Sequence, residues 1–151
     1  QLIFGAIMRH THAGLAVDDF PTMGGFWIPR FNETMLARVN EWRLFTDYPA
    51  VTMKQVVTHL IHRLGALVIT LTTVAVHIYG LKYYKNHKTI RLNLVLLDIL
   101  LTIQLLLGMI TVLSKKHAFI TSLHVVNGAA FLACAFLLLL RSSDISIKKW
   151  S

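Results

Sequence analysis

Three stretches of this chain, 60–81, 92–113 and 118–140, are apolar almost without interruption. Each is about the 20 residues a helix needs to cross a bilayer core of roughly 30 Å. A fourth apolar stretch opens the chain at Gln1 and ends at Arg9, too short to span. With no initiator Met before it, this stretch reads as the outgoing end of a span that begins upstream, within a larger protein. The pattern predicts membrane helices at 56–82, 92–114 and 118–141, with 1–8 the end of a truncated one. Between them lie an outer loop at 9–55, a cytoplasmic link at 83–91, an outer turn at 115–117 and a cytoplasmic tail at 142–151. The predicted class is an all-α membrane protein. Its architecture would be an antiparallel four-helix transmembrane bundle with a truncated first helix and a long outer loop carrying a short amphipathic helix.

Gly14, Pro21, Gly24, Gly25, Pro29 and Pro49 interrupt regular structure in that loop. Within it, Met35, Val39, Trp42 and Phe45 recur at helical spacing, with Arg38, Asn40, Glu41 and Arg43 on the other face. Asn32 suits the N-cap and Glu33 the first turn. Such a helix can lie on the membrane surface, held by Trp42, and it can equally cover a cofactor.

Composition agrees: 55% of residues are apolar and 15% charged, with a mean hydropathy of +0.59. The net charge of +8 does not point to nucleic acid, because its distribution follows topology. Lys82, Lys85, Lys88 and Arg91 crowd the link after the first full span, and Arg141, Lys148 and Lys149 follow the last. In 9–54, five basic residues are balanced by five acidic ones. Basic short loops mark the cytoplasmic side, so the link and the C-terminus are predicted there; Lys115 and Lys116 are a smaller outer cluster. A plasma membrane of bacterial or archaeal type is the expected location, and a mitochondrial inner membrane is compatible. Cys134 is alone, which excludes a disulfide.

A weak internal repeat carries the candidate chemistry. Gln1-x-x-x-Gly5 closes the first helix, and Gln104-x-x-x-Gly108 lies in the outer half of the 92–114 helix. Each is followed by an outer connection and then a helix with a histidine near its start. Small residues stand one turn on: Gly65 and Ala66 after His62, Gly128 and Ala129 after His124. Two helical hairpins of this kind would set the histidines facing each other, roughly 5 to 10 Å below the outer surface. A ligating side chain inside a span is costly and usually functional. Two imidazoles at matched depth fit the iron of a b-type haem, since no Cys-x-x-Cys-His attachment sequence is present. His62 and His124 are therefore the candidate axial ligands. Gly65 and Gly128 are candidates for close approach of the macrocycle, and Arg9 and Arg63 for its propionates. The competing reading is that the two histidines only hydrogen-bond across the bundle.

Other polar residues admit several roles. His59, one turn before His62, suits a proton relay, a substitute ligand or an interfacial position equally. His77 and Asp98 lie at similar inner depth on neighbouring helices. A structural pair is preferred there over a proton path, because a carboxylate in a span needs a partner. His10, His12, His87 and His117 fall in loops or at their edges.

Several segments together resemble the haem A synthase family. They are Gln1-x-x-x-Gly5-Ala6-x-x-Arg9-His10-Thr11, with Ala13 to Ala16; Asp19-Phe20-Pro21 with Gly25; Gln55; His62-Arg63-x-x-Ala66; and Gln104-x-x-x-Gly108 with His124. The resemblance covers nearly the whole chain and implies an assembly factor for haem-copper oxidases. Members have eight spans in two similar halves: a catalytic half, where the methyl of haem O is oxidised to the formyl of haem A, and a C-terminal half holding haem b. This chain is most similar to the latter. The catalytic half carries a glutamate three positions before its His-Arg pair, where this chain has His59. It also often carries a cysteine pair in the loop, near where Val17 and Thr22 stand here. No catalytic residue is assigned in this segment.

Three functions follow as expectations. The first is the haem b-binding half of a haem A synthase-like protein, passing electrons toward a catalytic half upstream or in another chain. The second is a non-enzymatic bis-His cytochrome b subunit of a respiratory complex. The third is a haem-free transporter or scaffold. Expected partners are membrane lipid, the catalytic half or other membrane subunits, and a quinone or cytochrome electron donor.

Overall fold

The computed structural model describes residues 1–148. Its helices are α1 (Leu2–His10), α2 (Glu33–Leu44), α3 (Met53–Tyr83), α4 (Lys88–Leu113) and α5 (Ala118–Lys148), with a 3-10 turn at Ala13–Leu15. No strand occurs among the described residues. Helices α3, α4 and α5 are long and apolar enough to cross a membrane, and the protein is an integral membrane protein. Apolar side chains such as Val68, Leu71, Val126 and Leu139 remain 59–65% exposed along them. That exposure suits a surface solvated by lipid.

Helix limits differ from hydrophobic limits. Helix α3 begins at Met53 because Thr52 and Gln55 form a reciprocal capping box: Gln55 N–H donates to Thr52 Oγ1, and Thr52 N–H to Gln55 Oε1 at 2.9 Å. Helix α5 continues past 141 to Lys148, because loss of apolar character marks where a helix leaves lipid and not where it must end. The end of the expected tail, 149–151, lies outside the described residues.

The packed pairs are α1–α3, α3–α4, α4–α5 and α1–α5. Ile90, Leu94, Leu97, Cys134 and Leu138 form the core between the N-terminal half of α4 and the C-terminal half of α5. Asn93 closes it by donating to the Cys134 carbonyl (3.0 Å) and accepting from Arg141 Nη1 (2.7 Å).

A second core lies in the loop, where Ala16, Val17, Met23, Met35, Val39 and Val51 pack on Val56 of α3. Asn32 caps α2, accepting from Met35 N–H at 2.9 Å. The apolar stripe of α2 is divided. Met35 and Val39 turn into this core, while Trp42 and Phe45 stay 45% and 83% exposed. Two residues expected on the polar face also turn inward. Arg43 is buried because its guanidinium donates to the carbonyls of Pro49 (2.8 Å) and Leu15 (2.5 Å), which satisfies the charge while the stem packs. Asn40 exchanges two hydrogen bonds with the Val51 backbone. Helix α2 thus shares a core with the N-terminal end of α3.

Candidate functional site

The two hairpins repeat one arrangement. In the first, Gln1 Nε2 lies 3.3 Å from Nδ1 of His62 and donates to the His62 carbonyl at 2.8 Å. In the second, Gln104 Nε2 lies 3.4 Å from Nε2 of His124. Gln104 is itself held by Asn127, whose amide donates to Gln104 Oε1 (2.8 Å) and to the Leu100 carbonyl (2.9 Å). One ring nitrogen of each histidine is thereby engaged. Nδ1 of His124 is buried with no hydrogen-bond partner.

The glycines of the repeat are the backing of these rings. A Cβ at Gly5 would stand 3.5 Å from His62 Cε1, and one at Gly108 would stand 3.2 Å from His124 Cε1. Gly65 faces the Gln1 side chain, and Gly128 faces Gln104 and Leu2. The latter pair, singled out in the sequence for approach of a macrocycle, here makes room for the glutamines. Sequence reading found the Gln, Gly and His positions as a repeat without bringing Gln and His into contact. It missed Asn127, which only the crossing of α4 and α5 reveals.

Arg63 serves the loop. Its Nη1 donates to the Thr22 carbonyl (2.9 Å), its Nη2 to the Asp19 carbonyl (2.8 Å), and its Nε meets His59 Nε2 at 3.2 Å. Three of its five N–H groups are therefore committed. His59 is 2% exposed, with Val17 N–H 3.4 Å from its other nitrogen. A neutral imidazole has one accepting nitrogen, so a ring facing two donors suits an acceptor under the loop better than an iron ligand or a proton carrier.

Asp19 organises that loop. Its carboxylate accepts from Thr22 Oγ1 (2.6 Å) and from the N–H groups of Gly24 (2.8 Å) and Gly25 (2.9 Å). Burial by itself would raise its pKa, but these bonds outweigh burial and hold it below the usual carboxylate value. Asp18 shifts the other way, raised mainly by burial. Burial also lowers the pKa of Arg43.

Arg9 lies on the exposed surface of α1 and lines an open cleft of about 700 Å³ with Ala6, His10, His12 and Lys116. Nearer the α3–α4 connection, His77 Nδ1 and Asp98 Oδ2 are 2.5 Å apart. His87 and His117 are exposed.

Fold and site together define an all-helical integral membrane protein with two glutamine-supported histidines on separate membrane-length helices. The model of the COX15-CtaA family, cytochrome oxidase assembly proteins, matches residues 1–136, and the chain belongs to that family. Curated relatives include the Heme A synthase of Roseobacter denitrificans, 32% identical over 124 residues covering 82% of this chain and 30% of the relative. That of Halalkalibacterium halodurans is 26% identical over 80% of this chain and 33% of its own length. That of Staphylococcus carnosus is 25% identical over 93% of this chain and 40% of its own length. The chain therefore spans 30–40% of the length of these relatives. No solved structure matches it significantly.

Proposed function

We propose that this chain is the haem b-binding half of a haem A synthase-like membrane protein, with His62 and His124 as axial ligands of one haem b. It would support oxidation of the haem O methyl to the formyl of haem A. The observation that carries the reading is the paired arrangement of Gln1, His62 and Gly5 with Gln104, His124 and Gly108. Helix α1 with α3, and α4 with α5, would be the two hairpins of an antiparallel four-helix bundle in which α3 and α5 stand across from each other.

The residues fit the group. His124 keeps a buried nitrogen without a protein partner, which costs about 1–3 kcal/mol unless something engages it. Glycine behind each ring leaves the imidazoles space to be aimed. Gln1 and Gln104 grip the opposite ring nitrogens and fix ring orientation, as outer-shell partners of ligating histidines do. When bound, the haem supplies a one-electron couple. The chain's own residues would hold it and keep it toward the outer surface, with the basic 83–91 link on the cytoplasmic side. Electrons would come from a quinone or cytochrome and leave toward a catalytic half.

The buried imidazole of His59, standing under the loop where a catalytic half has glutamate, favours the second reading of an electron-carrying cytochrome b subunit. One experiment separates them. The complete protein carrying His62→Ala is assayed for conversion of haem O to haem A by extraction and chromatography of its haems. Loss of haem A supports the synthase reading. Undiminished haem A in a protein that has lost its haem b contradicts it and leaves the electron carrier.

A further inference from the structure

A cationic cleft opens beside α1, close to the candidate site. Its lining is Ala6, Arg9, His10, His12 and Lys116, with no acidic residue. The only carboxylate ion pair among the described residues is His77–Asp98, far down the bundle, so neither Arg9 nor Lys116 has a carboxylate partner there.

The cleft is placed by the same elements that place the histidines. Gly5, the backing of His62, is four residues before Arg9 on α1, so both lie on one helix face about 6 Å apart along its axis. Lys116 follows α4, whose Gly108 backs His124. The turn that carries it is closed by Lys115 N–H to the Val112 carbonyl (3.0 Å) and Lys116 N–H to the Thr111 carbonyl (2.8 Å). Lys115 and Lys116 take φ of +56° and +63°, a conformation in which glycine is usual. Both are lysines here, and the turn lays the Lys116 side chain against Gly14, 3.4 Å from where a Cβ would stand. One cation thus comes from each hairpin, each just outward of that hairpin's histidine. Arg63, the other basic group beside His62, spends its guanidinium on His59 and the carbonyls of Asp19 and Thr22.

We infer that this cleft is the carboxylate end of the haem site, with Arg9 and Lys116 taking the two propionates and His10 and His12 as further N–H donors. The inference rests on the haem reading and adds to it which residues orient the macrocycle. It assigns Arg9 and Lys116 as binding residues, and Arg63 as a positioning residue for the loop.

The test compares binding of iron protoporphyrin IX with that of its dimethyl ester to the full chain in detergent, followed by the Soret band. Arg9→Gln/Lys116→Gln is set beside the charge-preserving Arg9→Lys/Lys116→Arg. Two partly exposed charge pairs amount to about a tenfold preference, so the unmodified chain should bind the diacid about tenfold more tightly than the ester. The glutamine variant should bind both equally, with low-spin bis-imidazole bands retained, and the charge-preserving variant should restore the preference. A full preference in the glutamine variant, or none in the unmodified chain, overturns this inference alone. Absence of bis-imidazole bands with either porphyrin overturns the haem reading with it.

Discussion

The amide of Gln104 lies 3.4 Å from Nε2 of His124 and is itself fixed by Asn127. A side chain that would otherwise be a lone polar intrusion in an apolar helix is therefore an orienting group for an imidazole. Replacing it removes a partner from both neighbours. Gln104→Leu should lower thermal stability by about 1–3 kcal/mol, the cost of leaving buried polar atoms unsatisfied. It should also shift the haem midpoint potential while haem stays bound. Redox titration beside a thermal melt checks both, and an unchanged potential would mean that Gln104 does not act through His124.

The glycines give a graded prediction. A Cβ at Gly5 falls at ordinary contact distance from His62, whereas at Gly108 it presses on His124 at 3.2 Å. Gly5→Ala should leave haem content near that of the unmodified protein. Gly108→Leu should reduce it severalfold, because overpacking of one to three kcal/mol would be relieved by turning the ring. Haem per protein, measured as the pyridine haemochrome, distinguishes them.

The loop should respond to acid through Asp19. Its folded pKa is lowered from an unfolded value near 3.9. The stability it contributes is therefore complete above about pH 4 and is lost as pH falls through the lower folded value. Asp18, with its raised folded pKa, costs stability at neutral pH, and that cost disappears on acidification. Acid-stable protease should cut the 12–51 loop increasingly as pH falls below 4. Asp19→Asn should be cut readily at neutral pH and show a much weaker acid step, while Asp18→Asn should be more resistant at neutral pH than the unmodified chain.

The His77–Asp98 pair should prove structural. Either single change to leucine strands the remaining partner and should destabilise by a few kcal/mol, whereas the double change to leucine should recover most of that loss. Haem content should be equal in all three. A double variant as unstable as the worse single one would contradict the assignment.

How much of this was legible before folding depends on the range of the interaction. The spans were readable because a bilayer demands runs of about 20 apolar residues, and the Asn32 cap because it is a contact over three residues. The repeat showed that Gln104 and His124 belong together without showing their contact, since 20 residues separate them. Arg43 was misplaced because helical periodicity counts charge as solvent-facing, and the carbonyls of Leu15 and Pro49 that bury it are set by the loop path. Lys116 registered only as one of a basic pair, because its place beside α1 depends on two left-handed residues in the α4–α5 turn. Arg63 drew attention beside His62, but it reaches the carbonyls of Asp19 and Thr22 more than 40 residues away.

The most direct test is the low-temperature electron paramagnetic resonance spectrum of the oxidised protein, recorded for the unmodified chain and for His62→Ala, His124→Ala and His87→Ala. The account predicts a low-spin bis-imidazole signal in the unmodified chain and in His87→Ala. In either of the other two that signal should be lost, with haem released or left high-spin. An unaltered low-spin signal after removal of His62 or His124 would contradict it.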